Sequence, residues 1–309
     1  MTTKVYMITG VASGLGKAIA LALAKTGETV ILVVRDADRG TEVVKKIAAA
    51  TGNSNLDLQL CDLANLSSVR NLATIINNRY EKIDVLINNA SVYRKNRETT
   101  MDGYERMFAT NHLGPFLLTY MLMDKLIASG SARIINIAAP SSTQLNFDDL
   151  QSEKNFNSLT AFGASKMANL LFTYELARRM EGRGIKVNAV HPGLVRSGLM
   201  KEAFAPLQWV LWLFSSSPNR AAEDILQLAT SPEFETTSGK FLHKGKEMQA
   251  AAYALNPAMQ LKLWTISEAL TKASEQRPNY DPTGSVAMYD DHDIPEGLIR
   301  PEDEPTQKD

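Results

Sequence analysis

Phe162 and Lys166 are the pair of residues in this sequence whose types and spacing raise a question of chemistry. Lys166 lies four positions after Phe162, and the Ala-, Leu- and Met-rich run from Met167 to Arg179 has helical spacing. Both side chains therefore fall on one helix face. A tyrosine at 162 would be a proton donor whose pKa the neighbouring cation lowers. Phenylalanine has no such proton, so this pair keeps the cation and loses the acid.

A second group of residues suits anion binding. Gly10, Ser13, Gly14, Leu15 and Gly16 lie between an apolar run, Val5 to Thr9, and an Ala/Leu-rich stretch reaching about Lys25. Strand, glycine loop and helix make a turn that takes a pyrophosphate on a helix N-terminus. The spacing is Gly-x-x-x-Gly-x-Gly, and the context points to a dinucleotide. A second strand is expected over Glu28 to Val34. An acid at its end would meet a free ribose 2′-hydroxyl. Val34 stands there, followed by Arg35, with Arg39 one turn on. A guanidinium suits a 2′-phosphate, although Asp36 could partly neutralise Arg35.

These groups need a scaffold, and the remaining apolar runs supply one. Strands are expected over Asp57 to Leu60, Asp84 to Ile87, Arg133 to Ile137, Lys186 to Val190 and, last and short, Gly239 to Leu242. A long helix is expected over Tyr104 to Leu126, and another over Pro257 to Leu270 with Trp264. Strands alternating with helices predict an α/β chain with one Rossmann-type doubly wound parallel sheet and helices on both faces. Ligands should then bind at the carboxyl ends of the strands. The singled-out residues fall there: the glycine loop, Arg35, Asp62, Asn88 to Ser91, Ala138 to Thr143 and His191 to Ser197. Asp62 could accept from an adenine amino group or cap the helix from Asn65. The small residues at Asn88 to Ser91 would let the chain pass close under a nucleotide. Asn111, in an apolar helix, needs a partner, and His112 reads as structural.

Composition narrows the field. The chain has 309 residues and a formal net charge of −1, which excludes a nucleic-acid binder driven by bulk charge. Its single cysteine, Cys61, rules out an internal disulfide framework and reads as a buried small hydrophobe. Met1 to Ile8 runs directly into a strand, so a cytoplasmic protein without a signal peptide is expected. Ala205 to Phe214, with Trp209 and Trp212, is about half the length of a membrane span. It suits a core helix, a lid over an apolar substrate or a peripheral membrane contact. The final 33 residues, from Arg277, hold five prolines and nine acids against three Lys/Arg. The organisation expected is a Rossmann domain over 1–275 and a disordered acidic tail over 276–309.

Taken together, Thr9 to Gly16, Arg35-Asp36 with Arg39-Gly40, Asp62-Leu63, Asn88-Asn89-Ala90, Asn111-His112-Leu113-Gly114, Ser165-Lys166 and His191-Pro192-Gly193 resemble the short-chain dehydrogenase/reductase family. The resemblance spans about residues 3 to 272. It is greatest to the retinol dehydrogenase-like branch, which neighbours light-dependent protochlorophyllide reductase. Leu263-Trp264 with Ser267-Glu268 and Leu270 looks like that branch's closing helix. The resemblance implies NADP(H) held by Gly10, Ser13, Gly14, Leu15, Gly16, Arg35, Arg39, Asp62, Leu63, Asn89, Ala90, Lys166, Pro192, Gly193 and Val195. It also implies a working set of Ser, Tyr, Lys and Asn. Lys166 would hold the nicotinamide ribose and Asn111 would anchor a water. The Tyr position holds Phe162 and the Ser position holds Ala139. Ser141 or Ser142 could swing in for the serine, and Tyr93 is a candidate substitute donor or a wall of the substrate pocket. The expected function is an NADP(H)-dependent oxidoreductase with an impaired or atypical donor, acting on a lipophilic carbonyl or alcohol. The alternatives are a non-redox isomerase or cyclase, and a non-catalytic NADP(H)-binding protein that uses the tail as a partner arm.

The tail carries no periodic apolar surface, so truncation after residue 276 should leave the melting temperature and NADP(H) binding almost unchanged. A large drop in a thermal melt would show Tyr280, Met288 or Tyr289 docked on the domain.

Overall fold

The computed structural model describes residues 3–193 and 217–276. Ala205 to Phe214, Val195 and all but the first residue of the expected tail lie outside the described residues. The sheet has eight strands in the order β3-β2-β1-β4-β5-β6-β7-β8. They are β1 Val5–Thr9, β2 Thr29–Val34, β3 Leu56–Leu60, β4 Val85–Asn88, β5 Arg133–Ile137, β6 Lys186–Val190, β7 Lys240–His243 and β8 Lys246–Glu247. The first seven are parallel, and β8 turns back antiparallel on β7. β8 has no signal in the sequence, because two exposed charged residues carry no strand pattern. β1 is buried along its whole length, as a strand covered on both faces must be.

The helices are α1 Gly14–Ala24, α2 Ala37–Thr51, α3 Leu66–Arg79, α4 Arg106–Phe108, α5 Gly114–Met121, α6 Met123–Ala128, α7 Ser158–Arg179, α8 Pro218–Thr230 and α9 Pro257–Thr271. Strand alternation divides the core in two. Tyr6, Ile8, Val30 and Leu32 join Ile19, Leu23, Ile47 and Ile225 of α1, α2 and α8. Met7, Ile31 and Val33 join Leu72, Phe116, Leu170 and Trp264 of α3, α5, α7 and α9.

The helical stretch expected over Tyr104 to Leu126 is present as three short α-helices and a π-turn. Between α4 and α5 lies a five-residue π-turn, Ala109–Leu113, closed by the Gly114 N–H donating to the Ala109 carbonyl. Pro115 gives the reason: it has no N–H for the Asn111 carbonyl, so regular α pairing fails there. Leu122 then leaves helical geometry and separates α5 from α6.

α9 closes the second face through an aromatic cluster. Trp264 packs edge-on to Phe116 at 5.0 Å between ring centroids and stacks on Phe172 at 6.1 Å. The Arg179 guanidinium lies 4.1 Å over its ring. No helix among the described residues is long and apolar enough to cross a membrane. Trp264→Ala should cost roughly 3–5 kcal/mol of unfolding free energy in urea denaturation, the usual scale for deleting a buried Trp. A loss below about 1 kcal/mol would mean that α9 is not part of the core.

Candidate active site

The site lies where loops leave the carboxyl ends of the strands. Gly10 and Gly14 both take positive φ, 76° and 56°, which bends the chain sharply between β1 and α1. Gly16 answers a closer constraint. A Cβ there would lie 2.1 Å from the Gly10 carbonyl oxygen and 2.5 Å from Asn89 Nδ2. The loops after β1 and β4 are stapled together. Asn89 Nδ2 donates to the carbonyls of Thr9 and Gly10 at 2.7 and 3.2 Å. Thr9 Oγ1 accepts the backbone N–H groups of Asn89 and Ala90, both at 3.1 Å. Ser13 makes no side-chain cap on α1, and the first turn, which includes Leu15, holds no acid. The N–H groups at the start of α1 are thus left for an anion.

At the end of β2, Val34 is buried and Arg35 is exposed. Asp36 is engaged by the helix that follows. Its carboxylate caps α2 by accepting from the Arg39 backbone N–H at 3.0 Å, and it pairs with Arg39 Nε at 3.9 Å. At the end of β3, Asp62 accepts from the Ala64 N–H at 3.0 Å, while Leu63 is buried. The capping reading of Asp62 is corrected: Asn65 caps α3 by accepting from the Ser68 N–H at 3.0 Å. Burial pushes the Cys61 thiol up to about 11, which makes it inert at neutral pH.

Lys166 is 6% exposed, and burial brings its ammonium down to about 8. Its Nζ donates to Ser91 Oγ at 2.9 Å and lies 5.4 Å from the Phe162 ring centroid. Tyr93 meets the Phe162 ring edge-on at 5.7 Å. The Tyr93 hydroxyl donates to Ser158 Oγ at 2.9 Å. Ser158, Phe162 and Lys166 follow one another at four-residue spacing along α7. The Tyr93 hydroxyl is therefore bonded one turn before Phe162, and Lys166 lies one turn after it.

The π-turn presents Asn111 to this loop. Asn111 Oδ1 accepts from the Val92 N–H at 2.8 Å, and its Nδ2 donates to the Val92 carbonyl and to Ser165 Oγ, both at 3.0 Å. The partner that an asparagine in an apolar helix requires is the backbone just before Tyr93. His112 is structural, as its surroundings in the sequence suggest. Its Nε2 lies 2.7 Å from Ser267 Oγ, and burial takes its pKa down to about 3.

Ala139, after β5, is half-buried. Ser141 is committed elsewhere: its Oγ donates to the Gly163 carbonyl at 2.8 Å and accepts from the Thr143 N–H at 3.2 Å. Ser142 is exposed. After β6, Pro192 and Gly193 follow His191, whose carbonyl accepts from His243 Nδ1 at 2.8 Å. A cavity of about 260 Å³ lies on another face of α7, bordered by Glu105, Phe108, Leu145, Asp149, Ala161 and Ser165. Phe162, Lys166 and Tyr93 do not border it. Ser91 and Ser158 are the polar partners that sequence reasoning missed. Ser91 read only as a small residue, and the signal for Ser158 was its i, i+4 spacing to Phe162.

The Lys166 ammonium thus lies beside a ring that carries no hydroxyl, in a chain whose first helical turn after β1 carries no acid. The sequence matches the short chain dehydrogenase family over residues 4–208, and the chain belongs to that family. It is 39% identical over 278 residues to human retinol dehydrogenase 13, covering 86% of this chain and 84% of that protein. It is 38% identical over 288 residues to mouse retinol dehydrogenase 14, covering 87% and 86%. Among solved structures, it is similar to an uncharacterized protein from Mycobacterium Paratuberculosis. That likeness has a TM-score of 0.70 at 30% identity, over 87% of this chain and 93% of that one. The fold also matches actinorhodin polyketide ketoreductase, solved with NADPH, with a TM-score of 0.61 at 24% identity over 78% and 94%.

Proposed function

We propose that this protein is an NADP(H)-dependent oxidoreductase for a lipophilic alcohol or carbonyl, with an altered proton-donor site, working in the cytoplasm. The observation that carries the reading is the buried Lys166 ammonium, which survives beside Phe162 although positions 139 and 162 have no hydroxyl. A cation kept in an apolar site is costly, and a bound cofactor gives it something to hold. The residues present fit that cofactor. The first turn of α1 lacks an acid and would take the pyrophosphate. Arg35 is exposed, and Asp36 is engaged with Arg39, which leaves Arg35 for a 2′-phosphate. The lipophilic substrate rests on the retinol dehydrogenase relatives and on the apolar segment with Trp209 and Trp212.

When bound, the nicotinamide supplies or takes a hydride at the substrate carbon. The chain's own residues hold its ribose end through Lys166 and shape the wall through Phe162 and Tyr93. Phe162 cannot give the substrate oxygen a proton. Tyr93 is the aromatic hydroxyl in contact with it, and to serve as donor it must leave Ser158. The missing hydroxyls favour a second reading, a non-redox reaction in the same site.

Two measurements test this. Arg35→Ala should weaken NADP(H) about 10–100-fold and NAD(H) little, the scale of a charge-assisted hydrogen bond. Equal losses in a titration would remove the NADP(H) preference. Phe162→Tyr with Ala139→Ser should raise NADPH-dependent reduction of lipophilic aldehydes and ketones about 10²–10⁴-fold, the usual worth of a general acid. The two changes should act more than additively, since they serve one transition state. If the double variant binds NADPH and stays inert, the non-redox reading takes over. If the unmodified protein already turns over as fast as the double variant, another donor is at work, and Tyr93→Phe should abolish the activity.

A further inference from the structure

The hydroxyl that Lys166 touches belongs to Ser91. Ser91 sits between two clamps. The backbone N–H of Ala90 is held by Thr9 Oγ1 at 3.1 Å, and both the N–H and the carbonyl of Val92 are held by Asn111 at 2.8 and 3.0 Å. The segment carrying Ser91 is thus fixed to β1 on one side and to the π-turn on the other. An ammonium has three protons to donate. Among the described residues, Lys166 gives one of them, to Ser91 Oγ at 2.9 Å. Phe162 offers only its ring, 5.4 Å away. Within the described residues, two protons of the ammonium thus remain for a molecule entering the site.

We infer that Ser91 is the positioning residue for Lys166: its hydroxyl, on a doubly clamped loop, orients the buried ammonium and so sets its grip on the nicotinamide half of the cofactor. The inference rests on the cofactor reading above. A hydrogen bond to a charged group falls steeply with geometry, so freeing the ammonium should be felt at the ribose that Lys166 holds. It should not be felt at the adenosine end, which Arg35 and the α1 loop govern.

The test uses the full chain and two probes, NADPH and adenosine 2′,5′-bisphosphate, which lacks the nicotinamide half. Ser91→Ala should weaken NADPH about tenfold or more, the scale of a lost hydrogen bond to a charged group. Adenosine 2′,5′-bisphosphate should change by less than about twofold. Ser91→Thr keeps the hydroxyl and should bind NADPH within about threefold of the unmodified protein. In a Lys166→Met background, Ser91→Ala should have no further effect, because the two residues act as one unit. Unchanged NADPH binding by Ser91→Ala overturns the inference. So do equal losses of both probes, which would mean that the loop has collapsed, and so does additivity with Lys166→Met. If the unmodified protein binds neither probe, the cofactor reading itself fails, an outcome distinct from a selective failure at Ser91.

Discussion

An ammonium taken out of water must be compensated, and much of this site follows from that demand. Lys166 could not remain charged in a dry pocket without a directed acceptor and a polarisable neighbour. Ser91 supplies the acceptor, and the Phe162 ring lies within the range of a cation–π contact. Both partners depend on more distant parts of the fold. Ser91 is placed by the staple between the β1 and β4 loops, and Phe162 by the face that α7 turns toward those loops. Burial lowers the affinity of Lys166 for its proton. The ammonium can therefore be charged at neutral pH and approach neutrality in mild alkali.

The π-turn is the second device on which the site depends. A regular helix over 104–126 would leave the Asn111 carbonyl facing a proline with no N–H to give it. The wider turn absorbs this mismatch. It also places the Asn111 amide where three hydrogen bonds reach Val92 and Ser165. One irregularity thus joins the helix layer to the loop that carries Ser91 and Tyr93. Such bulges recur at functional sites. Here the physical reason is visible, because an asparagine side chain does for a loop what a neighbouring strand does inside a sheet.

The repeating parts of the fold were legible in the sequence. β1, β5 and β6 have the expected bounds because each is a short segment rich in Val and Ile that is buried along nearly its whole length. The glycine loop was legible because its glycines answer to contacts: Gly16 could carry no Cβ against the Gly10 carbonyl. What failed to show was the choice among hydrogen-bond partners. Asp62 and Asn65 are both plausible caps in sequence, and only the geometry of the turn gives the task to Asn65. Ser141 looked free to enter the site, yet its hydroxyl is taken by the Gly163 carbonyl. Ser91 looked like a spacer and is a partner of Lys166. Spacing along one element predicts which face a residue is on. It does not predict which residue of another loop will face it.

Phe162 is better understood as a separation of tasks than as a defect. In a tyrosine, the ring packs the pocket while the hydroxyl handles the proton. Phenylalanine keeps the first task. Its ring still meets Tyr93 edge-on at 5.7 Å and still lies beside Lys166. The packing that positions α7 against the β4 loop therefore does not need a hydroxyl at position 162. Ala139 is likewise half-buried, and its methyl adds no polar atom that would need a partner. Ring packing and proton handling at position 162 thus depend on different atoms, and the contacts with Tyr93 and Lys166 need only the ring.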